Sequence, residues 1–285
     1  MAKINRDEYI SQLRERWNNM TITSDPMFGL VMENKKICLQ LIQRALPHLA
    51  IKELADITTQ KEIRAVAARN IVYDVYVKDH AGRVFIIEMQ MADQHNLPYR
   101  LRYYLGQADQ ELLNPTDDYR ILAKYPTYAL MFCNFDYFGR GWARYEFKMA
   151  CTRDPHLLFG DDRTVTIFNA KAKSFLKDDE PIKSFLALMR NHVDNKSRFI
   201  NNIQDEVSRI KHNPERRRNF MKFETLLADA RYDGRQEGLK EGLQEGIQNF
   251  IQSLRELDIP DQVIKQKLVE HYHLSEAEAA DSLSK

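Results

Sequence analysis

The sequence predicts an α/β protein, a mixed sheet flanked by helices with a helical C-terminal extension, and three observations predict it. Between about Arg69 and Tyr145, β-branched and aromatic runs bounded by turn residues enclose one segment of helical spacing. A helix between strands calls for at least one parallel crossover. After Lys171 the strand-like runs stop and apolar residues recur three and four apart. A chain of 285 residues, 44% hydrophobic and 29% charged, suits one large or two modest folded domains and excludes an acidic disordered chain.

Residues 1–20 read as a polar, charged lead-in. Ser24 and Asp25 then precede Pro26, a cap followed by proline at the first helical position. Phe28, Val31, Met32, Ile37, Leu41 and Ile42 keep helical spacing until Pro47, which predicts one helix over about 26–46. IVYDVYV is a strand, DHAGR a turn and VFIIEMQM a second strand. PYRLRYYLGQADQELL returns to helical spacing, with Leu101, Tyr104, Leu105, Ala108 and Leu112 on one face. TYALMFCNF and ARYEFKMAC are further strands, and TVTIFNA (164–170) is a candidate for the last.

Pro181 opens a helix carrying Phe185, Leu188 and Met189; Ile200, Ile203, Val207 and Ile210 mark the next, and Phe220, Phe223, Leu226 and Leu227 another. Gly234, Gly238, Gly242 and Gly246 then repeat every fourth residue, beside Leu239, Leu243 and Ile247. Each interior glycine costs a helix about 1 kcal/mol relative to alanine. A regular period of them predicts close packing against another helix; a flexible polar linker is the alternative. Pro260–Tyr272 is a short helix, and Ser275 with Glu278 forms a capping box for a last one. The expected divisions are a lead-in at 1–20, a core at 21–175, a helical extension at 176–232 and a glycine-repeat helix with its tail at 233–285.

The charge balance of 42 basic against 41 acidic residues leaves +1, so any basic surface is local. The longest apolar runs, 84–87 and 129–133, fall far short of the ~20 residues a membrane-spanning helix needs. MAKINRDEYISQLRERW has no apolar stretch of the signal-peptide kind, and three widely spaced cysteines make no disulfide framework. A cytoplasmic protein is the expectation. His271 and His273 have no second pair of ligands at zinc spacing, Gly139-Arg140-Gly141 is a turn, and neither GxxxxGK[ST] nor GxSxG occurs. Arg216, Arg217 and Arg218 are a local basic cluster, a DNA-backbone contact or a solvated helix start.

The hairpin carries the chemistry. With His80-Ala81-Gly82 as a three-residue loop and Gly82 left-handed, Asp79 pairs with Arg83, and paired residue numbers sum to 162. Asp74 then faces Glu88, and Gln90 shares the face of Glu88. Two carboxylates and an amide meet on an otherwise apolar hairpin, where buried acids require a partner. Cross-strand oxygen donors of this kind suit Mg²⁺, which binds one or two carboxylates and keeps waters. The alternative is that both acids lie on the solvated face of a sheet edge, and a one-residue slip of register would separate them.

The pattern Asp74, thirteen residues, Glu88-x-Gln90, following a helix, resembles the PD-(D/E)XK nuclease superfamily, and within it the Rpn-type recombination-promoting nucleases, or PD-(D/E)XK family transposases. TSDPMFGLVMEN, VYDVYVKDHAGRVFIIEMQ, LPYRLRYYLGQAD and FCNFDYFGRGWARYEFKMAC resemble successive parts of that group over residues 21–170, and the glycine repeat resembles its C-terminal region.

The resemblance implies a restriction-endonuclease-like fold and a metal-dependent DNA endonuclease of recombination-promoting, mobile-element or genome-defence type. It makes Asp74 and Glu88 the ligands of Mg²⁺, with Mn²⁺ as a substitute, and Asp74, Glu88 and Gln90 the catalytic residues. Gln90 stands where the superfamily pattern has lysine; glutamine can orient a water but carries no charge. Arg69, Arg100 and Arg102 are candidate DNA contacts, Arg102 nearest the scissile phosphate, unless the arginines pair with Asp109 and Glu111. Asp25 matches the group's acidic position but is equally a helix cap, and Glu33 is a further acid near the metal or a solvated one. A homodimer through the C-terminal helices is expected. The other reading of Gln90 is a catalytically inactive DNA-binding or assembly protein that keeps the fold.

Overall fold

The computed structural model describes residues 6–63 and 70–284. Helices α1 (Arg6–Asn19), α2 (Asp25–Met32) and α3 (Lys35–Ala45) precede strands β1 (Leu54–Ile63), β2 (Ile71–Asp79) and β3 (Val84–Gln90). Helix α4 (Leu97–Leu112) leads to β4 (Thr127–Cys133), β5 (Arg144–Phe147) and β6 (Arg163–Asn169). The chain ends in helices α5 (Glu180–Met189), α6 (Arg198–His212), α7 (Pro214–Glu256), α8 (Asp261–Tyr272) and α9 (Glu276–Ser284). It divides into two compact units, residues 14–217 and residues 1–13 with 218–285.

The first unit holds a six-stranded sheet in the order β1-β2-β3-β4-β6-β5. β1, β2 and β3 run antiparallel in turn, β3–β4 and β4–β6 are parallel, and β5 is antiparallel to β6. Helix α4 makes the crossover between parallel β3 and β4. These two central strands are almost wholly buried, as their near-continuous apolar sequences require. Leu101, Leu105, Ala108 and Leu112 of α4 pack with Ile86, Ala129 and Met131. Elsewhere in the unit, Phe132 stacks on Phe168 at 4.7 Å and meets Phe185, which meets Phe199. Helices α5 and α6 pack on α2 and α3, so residues 180–212 belong to the same unit as the sheet.

Two expectations fail and one strand is missed, each for an identifiable reason. The single helix over 26–46 is two helices, because the Asn34 side chain accepts the Lys36 and Ile37 N–H groups at 3.2 and 3.4 Å and starts a new helix. The polar lead-in contains a helix whose Leu13 and Trp17, one turn apart, are buried; Trp17 is fully enclosed and its indole N–H donates to the Lys211 carbonyl at 3.1 Å. The other tryptophan, Trp142, is 54% exposed. Finally, β1 went unread because an edge strand keeps only a weak apolar alternation, here LADITTQKEI.

In the second unit Ile247, Ile251, Ile264, Leu268 and Ala279 from α7, α8 and α9 form a small core. Ser275 and Glu278 make the capping box in both directions, at 2.8 and 3.3 Å. The glycine repeat lies inside the continuous α7, which rules out the linker. No neighbouring group lies within 4 Å of where a Cβ would stand on Gly234, Gly238, Gly242 or Gly246, and Leu239 and Leu243 are exposed. The expected close packing is therefore absent within the described chain. The Arg, Gln, Glu, Lys and Leu residues between the glycines are strong helix formers that sustain the helix. Among the described residues no helix is long and apolar enough to cross a membrane.

Candidate active site

The β2–β3 turn sets the register of the site. Asp79 Oδ1 accepts the Ala81 and Arg83 N–H groups at 2.9 Å each, and Oδ2 accepts Arg83 Nε at 2.6 Å. Gly82 has φ +85°, and a Cβ on it would stand 2.5 Å from the Lys124 carbonyl oxygen. From this turn Lys78 pairs with Val84, Val77 with Phe85, Tyr76 with Ile86 and Val75 with Ile87.

One step further the regular ladder gives way to side chains. The Asp74 N–H donates to Glu88 Oε1 at 2.9 Å, and the Met89 N–H donates to Asp74 Oδ2 at 3.0 Å. The period of two also slips here, because Tyr73 and Tyr76 join the same apolar cluster. Opposite, Gln60 of β1 takes φ +49°, a left-handed conformation rare outside glycine. Its side chain hydrogen-bonds to Asp74. Gly29 of α2 packs over this break, within 3.8 Å of the Asp74 carbonyl oxygen and of Gln60 Nε2 when given a Cβ.

Glu88 is 1% exposed and Gln90 is 7% exposed. Helix α4 supplies their partner. Arg100 Nη2 donates to Glu88 Oε2 at 2.5 Å and Nη1 to Gln90 Oε1 at 3.3 Å, while Gln90 Nε2 donates to the Ala92 carbonyl at 3.0 Å. The guanidinium lies 4.9 Å from the centre of the Tyr104 ring, one turn on. Tyr104 is fixed in turn: Tyr73 meets its ring edge-on and donates its hydroxyl to the Tyr104 carbonyl at 2.7 Å.

Both acids are held above the ordinary carboxylate range. For Asp74 the cause is burial, reinforced by the charge of Asp25; the Met89 N–H, Arg100 and Gln60 pull the other way and leave it at about 6. For Glu88 burial comes first and the Asp74 charge second, against Arg100 and the Asp74 N–H, and the carboxyl stands at about 8. One guanidinium thus offsets two crowded carboxylates only in part. Asp74 and Glu88 are the oxygen donors the site offers, and among the described residues no set of three or more His, Cys, Asp or Glu side chains is placed to hold a metal. This donor set fits an ion that accepts two carboxylates and keeps its waters, and does not fit a closed protein cage.

The other sequence candidates lie as follows. Arg69 falls outside the described residues. Arg102, two positions from Arg100 on α4, is exposed. Asp109 and Glu111 are paired with Arg163 and Lys61, not with Arg100 or Arg102. Ser24 is the cap of α2, without a side-chain cap bond, and Asp25 is its first residue. Glu33 pairs with Arg216 at 2.5 Å and accepts from Thr59 at 3.3 Å. Gln60 escaped sequence reasoning because β1 did.

A family model described as PD-(D/E)XK nuclease family transposase matches residues 26–233. No curated protein and no solved structure matches the chain. That match spans well over half of the chain, including the whole hairpin and α4, and the mixed sheet flanked by helices is the architecture such nucleases have; the chain belongs to the PD-(D/E)XK nuclease family transposases.

Proposed function

We infer that the protein is a divalent-metal-dependent DNA endonuclease of recombination-promoting, mobile-element or genome-defence type that works in the cytoplasm. The observation that carries this reading is the meeting of Asp74 and Glu88 at the end of the hairpin, where Glu88 accepts the Asp74 N–H, Asp74 accepts the Met89 N–H, and Arg100 bridges Glu88 to Gln90. Asp74 and Glu88 would hold Mg²⁺, or Mn²⁺ in its place. When bound, such an ion lowers the pKa of a coordinated water and offsets charge on a phosphoryl oxygen. The buried strands fix both acids, so no reorganisation is needed as charge develops. Gln90, held between Ala92 and Arg100, has an amide suited to orienting a water rather than to neutralising phosphate. Arginines of α4 bind the DNA backbone, which supplies affinity and register without sequence readout. A second copy paired through the C-terminal helices would set two single-strand-cutting sites across one duplex.

The test is incubation of the purified protein with supercoiled plasmid and Mg²⁺ or Mn²⁺, beside EDTA and Asp74→Ala controls. Metal-dependent nicking, lost in the variant while its circular dichroism stays that of the parent, is the expected result. A folded protein that cuts nothing but still shifts plasmid in a gel would instead make it an inactive DNA-binding protein, the reading that Gln90 in the lysine position favours.

A further inference from the structure

Both carboxylate oxygens of Glu88 are already engaged: Oε1 by the Asp74 N–H at 2.9 Å and Oε2 by Arg100 at 2.5 Å. Each oxygen keeps a second lone pair, but a divalent cation that takes it stands beside one of these donors and is repelled by a charged one. The Asp74 N–H belongs to a strand paired with β1 on one side and β3 on the other, so it yields only if the sheet does. Arg100 is a side chain in the first turn of α4, 27% exposed, and its second hydrogen bond, to Gln90, is long at 3.3 Å. Its stacking partner Tyr104 belongs to the same helix, so a displaced guanidinium stays tethered beside the site.

We propose that Arg100 is a tethered counter-ion that competes with the divalent cation for Glu88 Oε2 and, once displaced, supplies the phosphate-binding charge that Gln90 lacks. The proposal rests on the nuclease reading of the same site. Charge carries it: once both acids are deprotonated, as metal binding requires, the two carboxylates and one guanidinium sum to −1, and a dication in place of that guanidinium frees a positive group just where an anionic substrate arrives. A planar guanidinium suits both tasks, since it binds carboxylate and phosphate oxygens through paired N–H groups and stacks on an aromatic ring. Arg100 is in this account both a brake on metal binding and a substrate contact. The two roles predict changes of opposite sign in one variant.

The experiment is calorimetric titration of Mn²⁺, without DNA, into the full-length protein, Arg100→Gln, Arg100→Lys and Asp74→Ala, with plasmid nicking measured on each. Arg100→Gln is expected to bind Mn²⁺ at least about tenfold more tightly, the factor that loss of one charge-assisted hydrogen bond to a ligand implies, and to nick more slowly. Arg100→Lys, which keeps the charge but not the paired geometry, falls between. If Arg100 serves only to orient Glu88, its removal leaves Mn²⁺ binding unchanged or weaker, and the proposal is overturned. An independent readout uses the unmodified protein: Mg²⁺ should release the hindered rotation of the Arg100 guanidinium in ¹⁵N NMR, with Arg100→Lys assigning the signal, and an unmoved signal also overturns it. Parent protein that binds no Mn²⁺, or Asp74→Ala that binds it equally well, refutes the metal-site reading itself. That outcome is distinct from parent binding that Arg100→Gln fails to tighten.

Discussion

At the scale of single residues, Asp74 and Glu88 hold protons that the unfolded chain releases at lower pH. Their raised carboxyls, at about 6 and about 8, mean that the folded state binds more protons than the unfolded state between the ordinary carboxylate range and pH 8. Stability therefore falls as pH rises through that window, the reverse of a salt-bridged acid. Asp74→Asn keeps an acceptor for the Met89 N–H and removes one charge. It should flatten that slope and stabilise the protein by about 1–3 kcal/mol at pH 8, measured by urea unfolding from pH 4 to 8. A variant with the parent's slope would refute the mutual crowding of the pair. The acidic pair was legible in the sequence because turn chemistry at DHAGR fixes the register and the register fixes the partner. The distinction between Arg100 and Arg102 was not, since it depends on the phase of α4 against the sheet. Nor was Gln60, whose role needs both a strand pairing and a left-handed backbone.

At the scale of elements, the hairpin aims the chemistry, and its turn is a point of leverage. Gly82→Ala would meet both a positive φ and the Lys124 carbonyl 2.5 Å away. It should destabilise the unit by about 1–3 kcal/mol, seen as a lower denaturation midpoint, and weaken metal binding through displaced strands. A substitution that leaves both unchanged would show that the register does not depend on this turn. The strands from β2 to β6 were readable because their β-branched and aromatic runs are bounded by turn residues. The break between α2 and α3 was hidden because apolar spacing runs on from Met32 to Ile37 while only Asn34 marks the new start. Helix α1 was hidden by its charge, with Leu13 and Trp17 as the signal to weigh.

At the scale of the whole molecule, metal binding and folding are linked. Any ion that binds the folded pair and not the unfolded chain stabilises by RT ln(1 + [L]/Kd), about 1.4 kcal/mol at tenfold excess over Kd. Mg²⁺ at such a concentration should raise the Tm of the sheet-containing unit by a few degrees in the parent and not in Asp74→Ala, as followed by scanning calorimetry. Equal shifts in both would mark a nonspecific salt effect. Fold class was readable from the order of elements alone, whereas the division at 217 was not, because α7 runs through it without a change of secondary structure. The two tryptophans have a practical consequence. Trp17 is fully buried and Trp142 faces water, both within residues 14–217. Intrinsic fluorescence of the native protein should therefore contain a blue-shifted component shielded from acrylamide and a red-shifted one open to it. Trp142→Phe would leave a single emitter whose red shift reports the opening of that interior alone.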